Sequence, residues 1–199
     1  MVDSLRGTKR QRSERDTKAR FETHALPHLD VVYRMALTMA SNESEAEDLA
    51  QETFARAFAA FDRFELRKFG LRPWLLRILY NTSCTARGKR RREPTLLDDV
   101  DFDHFADELD SEPPPTSVDE INWEHFDEEV KLAVADLPPE YRTVLLLWAI
   151  ERLTYREIAE VCECAMGTVM SRLYRARRLL GRQLGEYARD RKLSTERFE

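Results

Sequence analysis

The sequence is poor in glycine and cysteine, with six and three among 199 residues. So little glycine leaves no Gly-rich loop of the kind that cradles phosphates. The cysteines, Cys84, Cys162 and Cys164, are odd in number, and no export signal precedes them. That argues against a disulfide framework and for a reducing compartment, so a cytoplasmic location is expected. Cys162 and Cys164 form C-x-C with no second ligand pair nearby. They read as two small apolar residues in a turn rather than zinc ligands. His24 and His28 are four apart on an expected helix, without the Glu of H-E-x-x-H and without a third ligand. No metal site and no cofactor is expected. Long apolar runs are missing too, since none approaches the ~18 residues needed to span a bilayer. Residues 1–20 are basic and polar without an apolar h-region. They read as a disordered tail, not a secretory signal.

Charge is abundant, at 35% of residues, and it is segregated. The net charge of −5 hides this. Arg67 to Arg92 holds nine basic residues and no acid; Glu93 to Val130 holds fifteen acids and no Lys or Arg. From Gly167 to Lys192 basic residues dominate again. Two basic blocks beside amphipathic helices are the footprint of nucleic-acid contact. The acidic stretch contains "DSEPPPTSVDE", Asp110 to Glu120. Its three prolines exclude a helix or sheet interior. Residues 93–125 therefore read as a flexible acidic linker between two small helical domains.

In the first domain, apolar residues from Phe21 to Met39 recur at helical spacing. Ser44 and Glu47 have the spacing of a capping box, so a helix is expected from Ser44. One side of it carries Ala46, Leu49, Ala50, Thr53, Ala57 and Phe61; the other carries Asp48, Gln51, Glu52 and Ala55. Then comes "FDRFELRKFGLRPWLLRILYNTSC". Phe61, Phe64, Phe69 and Trp74 stand among Arg63, Arg67, Lys68 and Arg72. An aromatic, basic stretch has the composition that stacks and holds unpaired bases. Pro73 suits the first position of the next helix, over Trp74 to Arg87. That helix leaves Arg77 and Asn81 outward.

In the second domain, "FDEEVKLAVADLPPEYRTVLLLWAI" reads as two helices split at "LPPEY". Thr154 and Glu157 form a second capping box, opening a short amphipathic helix. After the turn "CECA" comes "GTVMSRLYRARRLLGR". Short helix, tight turn and arginine-rich helix make a helix-turn-helix pattern. At ~100° per residue Val169, Leu173, Ala176 and Leu180 form the core side. Thr168, Ser171, Arg175, Arg178 and Arg182 face the other way, with Arg172 and Arg177 on the flanks. Hydroxyls and arginine forks on one outward face suit a DNA major groove.

"EAEDLAQETFARAFAAF", "WLLRILYN", "LPPEYRTVLLL" and "YREIAEVCECAMGTVMSRLYRARRLL", in this order, resemble the extracytoplasmic-function (ECF) sigma factors of the sigma-70 family. The resemblance implies an all-α chain with region 2 over 21–92 and region 4 over 126–187, the charged tail 188–199 following. It implies a promoter-specificity subunit that binds core RNA polymerase at the β′ clamp helices and β flap, with promoter DNA as its second partner. Asp48, Gln51 and Glu52 would dock on the clamp. Phe61, Arg63, Phe64, Arg67, Lys68, Phe69, Trp74, Arg77 and Asn81 would recognise and open the −10 element. Thr168, Ser171, Arg172, Arg175 and Arg178 would read the −35 element. Neither a region 1.1 nor a region 3 domain is expected, nor an appended sensor domain.

Members are commonly held by an anti-sigma factor in a stress response. "RFETHALPHLDVVYRMAL" and "GEYARDRKLS" are similar to the branch controlled by redox-sensitive zinc anti-sigma factors. The chain departs from the family at the helix-turn-helix turn, where glycine is frequent and Glu163 stands. A freestanding helix-turn-helix regulator is the alternative, but it would need neither the Asp48/Gln51/Glu52 face nor the aromatic basic stretch. No nucleophile–base constellation is present, so no enzyme is expected.

Overall fold

The computed structural model describes residues 15–63, 70–86 and 126–190. Their regular structure is helical throughout, in line with the all-α expectation. The chain divides between Arg91 and Arg92 into two units. The expected linker, 93–125, lies outside the described residues, as do 1–14 and 191–199.

In the first unit, helix α1 occupies residues 15–25. Helix thus extends into residues 15–20, which the sequence reading gave to the disordered tail. The reason is that Phe21 and Ala25 are buried and hold the preceding turn in place. Pro27 interrupts the helical run expected from Phe21 to Met39. It has no N–H to donate to the turn before it. Leu26–His28 tighten into a 3-10 turn, and α2 follows over Leu29–Met39.

Helix α3 spans Glu43–Ala60, and its cap is Asn42 rather than Ser44. The Glu45 N–H donates to Asn42 Oδ1 at 2.9 Å, and the Ser41 N–H donates to Glu45 Oε2 at 2.7 Å. Asn caps as well as Ser. The earlier start also brings Glu43 and Glu45 into the first turn, near the positive end of the helix dipole. Phe61–Arg63 form a 3-10 turn after α3. Helix α4 runs over Leu71–Ala86. It begins before Pro73, which still falls in the first turn, where no intrahelical bond is lost. Gly70 precedes it at φ +74°, a conformation that glycine takes at no steric cost.

The inward face of α3 is built of Ala46, Ala50, Thr53 and Ala57 around Leu49. Side chains this small let α2 and α4 lie close on either side. Met35, Leu75 and Leu79 fill the space between. Each fully buried leucine contributes about 1.5–3 kcal/mol of transfer free energy. The one buried hydroxyl on that face, Thr53 Oγ1, donates to the Leu49 carbonyl at 2.7 Å.

In the second unit, α5 spans Glu128–Ala135 and α6 spans Pro139–Ala149. They part at "LPPEY" as expected, with Pro139 opening α6. Helix α7, Tyr155–Cys162, opens on the expected capping box. The Glu157 N–H donates to Thr154 Oγ1 at 3.2 Å, and the Thr154 N–H returns to Glu157 Oε2 at 2.8 Å. Glu163 then turns the chain at φ +50° and ψ +44°, and α8 runs over Met166–Asp190. Val144, Leu147, Ile158, Val169 and Leu173 are buried where α6, α7 and α8 pack together.

Candidate polymerase and nucleic-acid interfaces

Burial of Ala46, Leu49, Ala50 and Thr53 forces the other side of α3 outward. Asp48, Gln51 and Glu52 are exposed together there, at i, i+3 and i+4. Glu52 does not stand alone, because Arg56 Nε donates to its Oε1 at 2.7 Å. Both side chains are about half exposed, so the pair contributes only about 0.3–0.5 kcal/mol. A second arm of Arg56 reaches Thr82 Oγ1 on α4 at 3.4 Å. The sequence reading missed Arg56, although its i, i+4 spacing from Glu52 was there to see.

The aromatic, basic stretch is only partly described. Phe61 is 6% exposed and belongs to the core. Its ring meets Phe21 edge-on at 5.2 Å, and the Arg20 guanidinium lies 5.8 Å from its centroid. The expectation that Phe61 faces unpaired bases is therefore corrected. It stands one turn past Ala57 on the inward side of α3, and α1 covers it. Arg63 closes the 3-10 turn; its side chain, with Phe64, Arg67, Lys68 and Phe69, lies outside the described residues.

On α4, Trp74 and Asn81 are half-buried and Arg77 is exposed. Their i, i+3, i+7 spacing puts them on one side, opposite the buried Leu75, Leu79 and Leu76. Trp74 is thus partly packed and partly open to the surface. Arg72, in the first turn of α4, acts on His28. Burial first, and then the Arg72 charge, hold the His28 imidazole below its ordinary value.

The arginines of α8 are sorted by their surroundings. Arg178 and Arg182 are exposed. Arg175 is half-buried, and its Nη1 donates to the Tyr141 hydroxyl of α6 at 3.5 Å. Arg177 lies over the Trp148 ring of α6, 4.4 Å from the centroid. Such a cation–π contact holds a guanidinium without neutralising it. Arg172 is half-buried beside Cys164. Burial raises the Cys164 thiol, and the nearby Arg172 charge partly opposes this. A raised thiol is protonated and unreactive at neutral pH.

Ser171 is the second correction. It is 3% exposed, and its hydroxyl donates to the Thr168 carbonyl at 3.0 Å. The helical wheel put it outward. The first turns of α8, however, are enclosed on two sides by α6 and α7, so the buried arc there is wider than one stripe. Thr168 is half-buried at the same end. The wheel also left out Tyr174, 39% exposed between the arginines on the outward side. Its angular position was legible, but it carries neither charge nor a small hydroxyl and was passed over.

Two family models match the chain: Sigma-70 region 2 over residues 24–93, and Sigma-70, region 4 over residues 127–180. RNA polymerase sigma-H factor of Pseudomonas aeruginosa is 30% identical over 187 residues, covering 90% of this chain and 94% of that protein. ECF RNA polymerase sigma factor SigE of Mycolicibacterium smegmatis is 33% identical over 164 residues, covering 81% of this chain and 60% of that protein. Among solved structures, the sigma factor RpoE of Bartonella quintana, in complex with the anti-sigma factor NepR, superposes with a TM-score of 0.60 at 27% identity. It covers 85% of this chain and 97% of that one.

Proposed function

The chain belongs to the ECF RNA polymerase sigma factors of the sigma-70 family, and on that premise we propose that it directs core RNA polymerase to a specific set of promoters. The observation that carries the reading is the pairing of two surfaces in one chain. One is the exposed Asp48/Gln51/Glu52 side of α3. The other is the outward arginine side of α8, set by a capped helix and a left-handed turn. The first is a docking face for a basic partner and the second a docking face for DNA.

Residues 21–92 act as region 2 and residues 126–187 as region 4, with the acidic stretch 93–125 between them. Asp48, Gln51 and Glu52 meet the β′ clamp helices. Trp74, Arg77 and Asn81 of α4, with Arg63 and the stretch Phe64 to Phe69, work at the −10 element. Arg175 and Arg178, with Arg172 and Thr168 nearer the core, work at the −35 element. Tyr174 joins them, because an aromatic ring on a groove-facing side offers apolar contact to a thymine methyl. Ser171 acts by holding the start of α8 rather than by touching a base. The protein works in the cytoplasm as a specificity subunit and catalyses no reaction itself.

The B. quintana sigma factor was solved with an anti-sigma factor. Its likeness supports the same form of control here. The stretches around Phe21–Leu37 and Gly185–Ser194 support the redox-sensitive zinc branch of those inhibitors. Co-purification with a zinc protein that an oxidant releases tests that assignment; a partner indifferent to oxidant removes it.

Run-off transcription with core bacterial RNA polymerase on a pool of genomic promoters tests the function. Discrete transcripts that require this chain are expected, and their upstream sequences give the −10 and −35 elements. No transcripts, together with no stoichiometric binding to core, would overturn the reading.

A further inference from the structure

The region 2 match starts at residue 24, but helix α1 already runs from residue 15. The part of α1 outside the match is anchored at one place. Phe21 is 6% exposed and meets three rings edge-on: Phe54 at 6.3 Å, Phe58 at 5.2 Å and Phe61 at 5.2 Å. One turn earlier, Thr17 Oγ1 donates to Asp62 Oδ1 at 2.7 Å. Arg20 sits between them, its guanidinium 5.8 Å from the Phe61 ring. The spacing 17, 20, 21 puts all three on one side of α1. That side bears on the end of α3 and on the Phe61–Arg63 turn.

Phe61–Arg63 is where the chain leaves α3 for the aromatic, basic stretch that the proposed function sets at the −10 element. Asp62 is exposed, and its carboxylate is held by Thr17. A site carried on a short turn is only as well placed as the groups that hold the turn.

We propose that residues 15–23 form a strut on the Phe61–Arg63 turn, and that Thr17 and Arg20 are positioning residues for promoter opening. Phe21 is the pivot of the strut, and Thr17 and Arg20 fix its angle. The proposal rests on the −10 reading given above. It adds that a helix outside the matched family segment governs that activity without touching DNA.

Thr17→Val removes the donor and keeps the shape, and Thr17→Ser restores the donor. Thr17 is half-buried, and both changes leave the Phe21 cluster alone. Amide hydrogen exchange on the full chain reads the turn directly. In Thr17→Val, protection at Phe61–Arg63 should fall roughly three- to tenfold, the weight of one hydrogen bond, with α2 and α4 unchanged. Permanganate footprinting of the holoenzyme, on a promoter recovered by the run-off assay, should show opening reduced by a similar factor. Thr17→Ser should recover both. Affinity for core polymerase, and transcription from a template already opened at the −10 element, should stay at the level of the unaltered protein.

Unchanged protection in Thr17→Val would overturn the strut. Lost protection with undiminished opening would leave the contact but remove its function. It would also count against the −10 reading itself, which Lys68→Ala and Phe69→Ala test independently by the same footprint. Equal loss on the pre-opened template would mean that less folded protein is present, and would overturn the positioning role.

Discussion

Two residues of the second unit, Arg152 and Glu163, hold positive φ without being glycine, at 53° and 50°. Each precedes a helix of the helix-turn-helix, Arg152 ahead of α7 and Glu163 ahead of α8. A non-glycine residue there costs roughly 1–2 kcal/mol. The Glu163 conformation was legible in the sequence, because the turn needs a left-handed residue and a glutamate stood in its place. Glu163→Gly should therefore stabilise the isolated second unit by up to about 1 kcal/mol, the strain relieved less the backbone freedom that glycine gains when unfolded. Thermal unfolding checks this, and a lowered midpoint would show that the Glu163 side chain contributes more than its backbone costs. Other residues gave no signal. Glu151 is wholly buried at the end of α6, yet an acid between two helices reads as loop. Ser171 was misplaced because periodicity measures one stripe and cannot see enclosure by two neighbours. Ser171→Ala should alter −35 binding by less than twofold, whereas Arg178→Ala should weaken it by about 1–3 kcal/mol if its fork reads a base. Binding to a duplex −35 fragment, measured by anisotropy, separates the two; equal losses would return Ser171 to the DNA face.

At the scale of the element, α3 was the most legible helix and its start the least. Its two sides followed from spacing alone, alanines inward and acids outward. Its cap was misread because "SNES" offers three capping residues within four positions, and the Glu45 N–H, donating to Asn42 Oδ1, decides among them. The outward side makes a prediction that the fold does not share. Asp48→Lys with Glu52→Lys should weaken binding to core polymerase by at least tenfold while leaving unfolding within about 0.5 kcal/mol, as surface substitutions generally do. Releasing Arg56 from Glu52 accounts for most of that residual. Retained core affinity would reassign this side to solvation. Helix α8 was legible for its core side. Its partition into held arginines, Arg175 and Arg177, and outward ones, Arg178 and Arg182, was not. That partition depends on Tyr141 and Trp148, one helix away in space and about thirty residues away in sequence.

For the molecule as a whole, composition alone misleads. A chain with net charge −5 has two basic blocks because fifteen acids are gathered between Glu93 and Val130. Those acids repel DNA over a distance set by salt, ~10 Å at 0.1 M. Replacing the acids of residues 93–125 by their amides should raise affinity for non-specific duplex at least tenfold at low salt and steepen its salt dependence. Titration with a random-sequence duplex at two salt concentrations measures both; unchanged affinity would show that the segment does not shield the basic blocks. The two-unit division was readable from the Pro-rich acidic stretch. The ring cluster around Phe21 was not, because its partners lie from 33 to 40 residues downstream.

That separation also has a consequence in time. When Phe21 is made, none of the rings that will cover it exists yet. Alpha helices as short as α1 are marginal on their own in water. Its apolar side therefore waits for Phe54, Phe58 and Phe61, and the cluster is complete only when Phe61 has been added, roughly forty residues later. At ~5–20 residues per second that is about 2–8 s of synthesis. The beginning of the chain is thus among the last parts of its unit to find a place, and a chaperone that recognises exposed aromatic segments has those seconds in which to bind it.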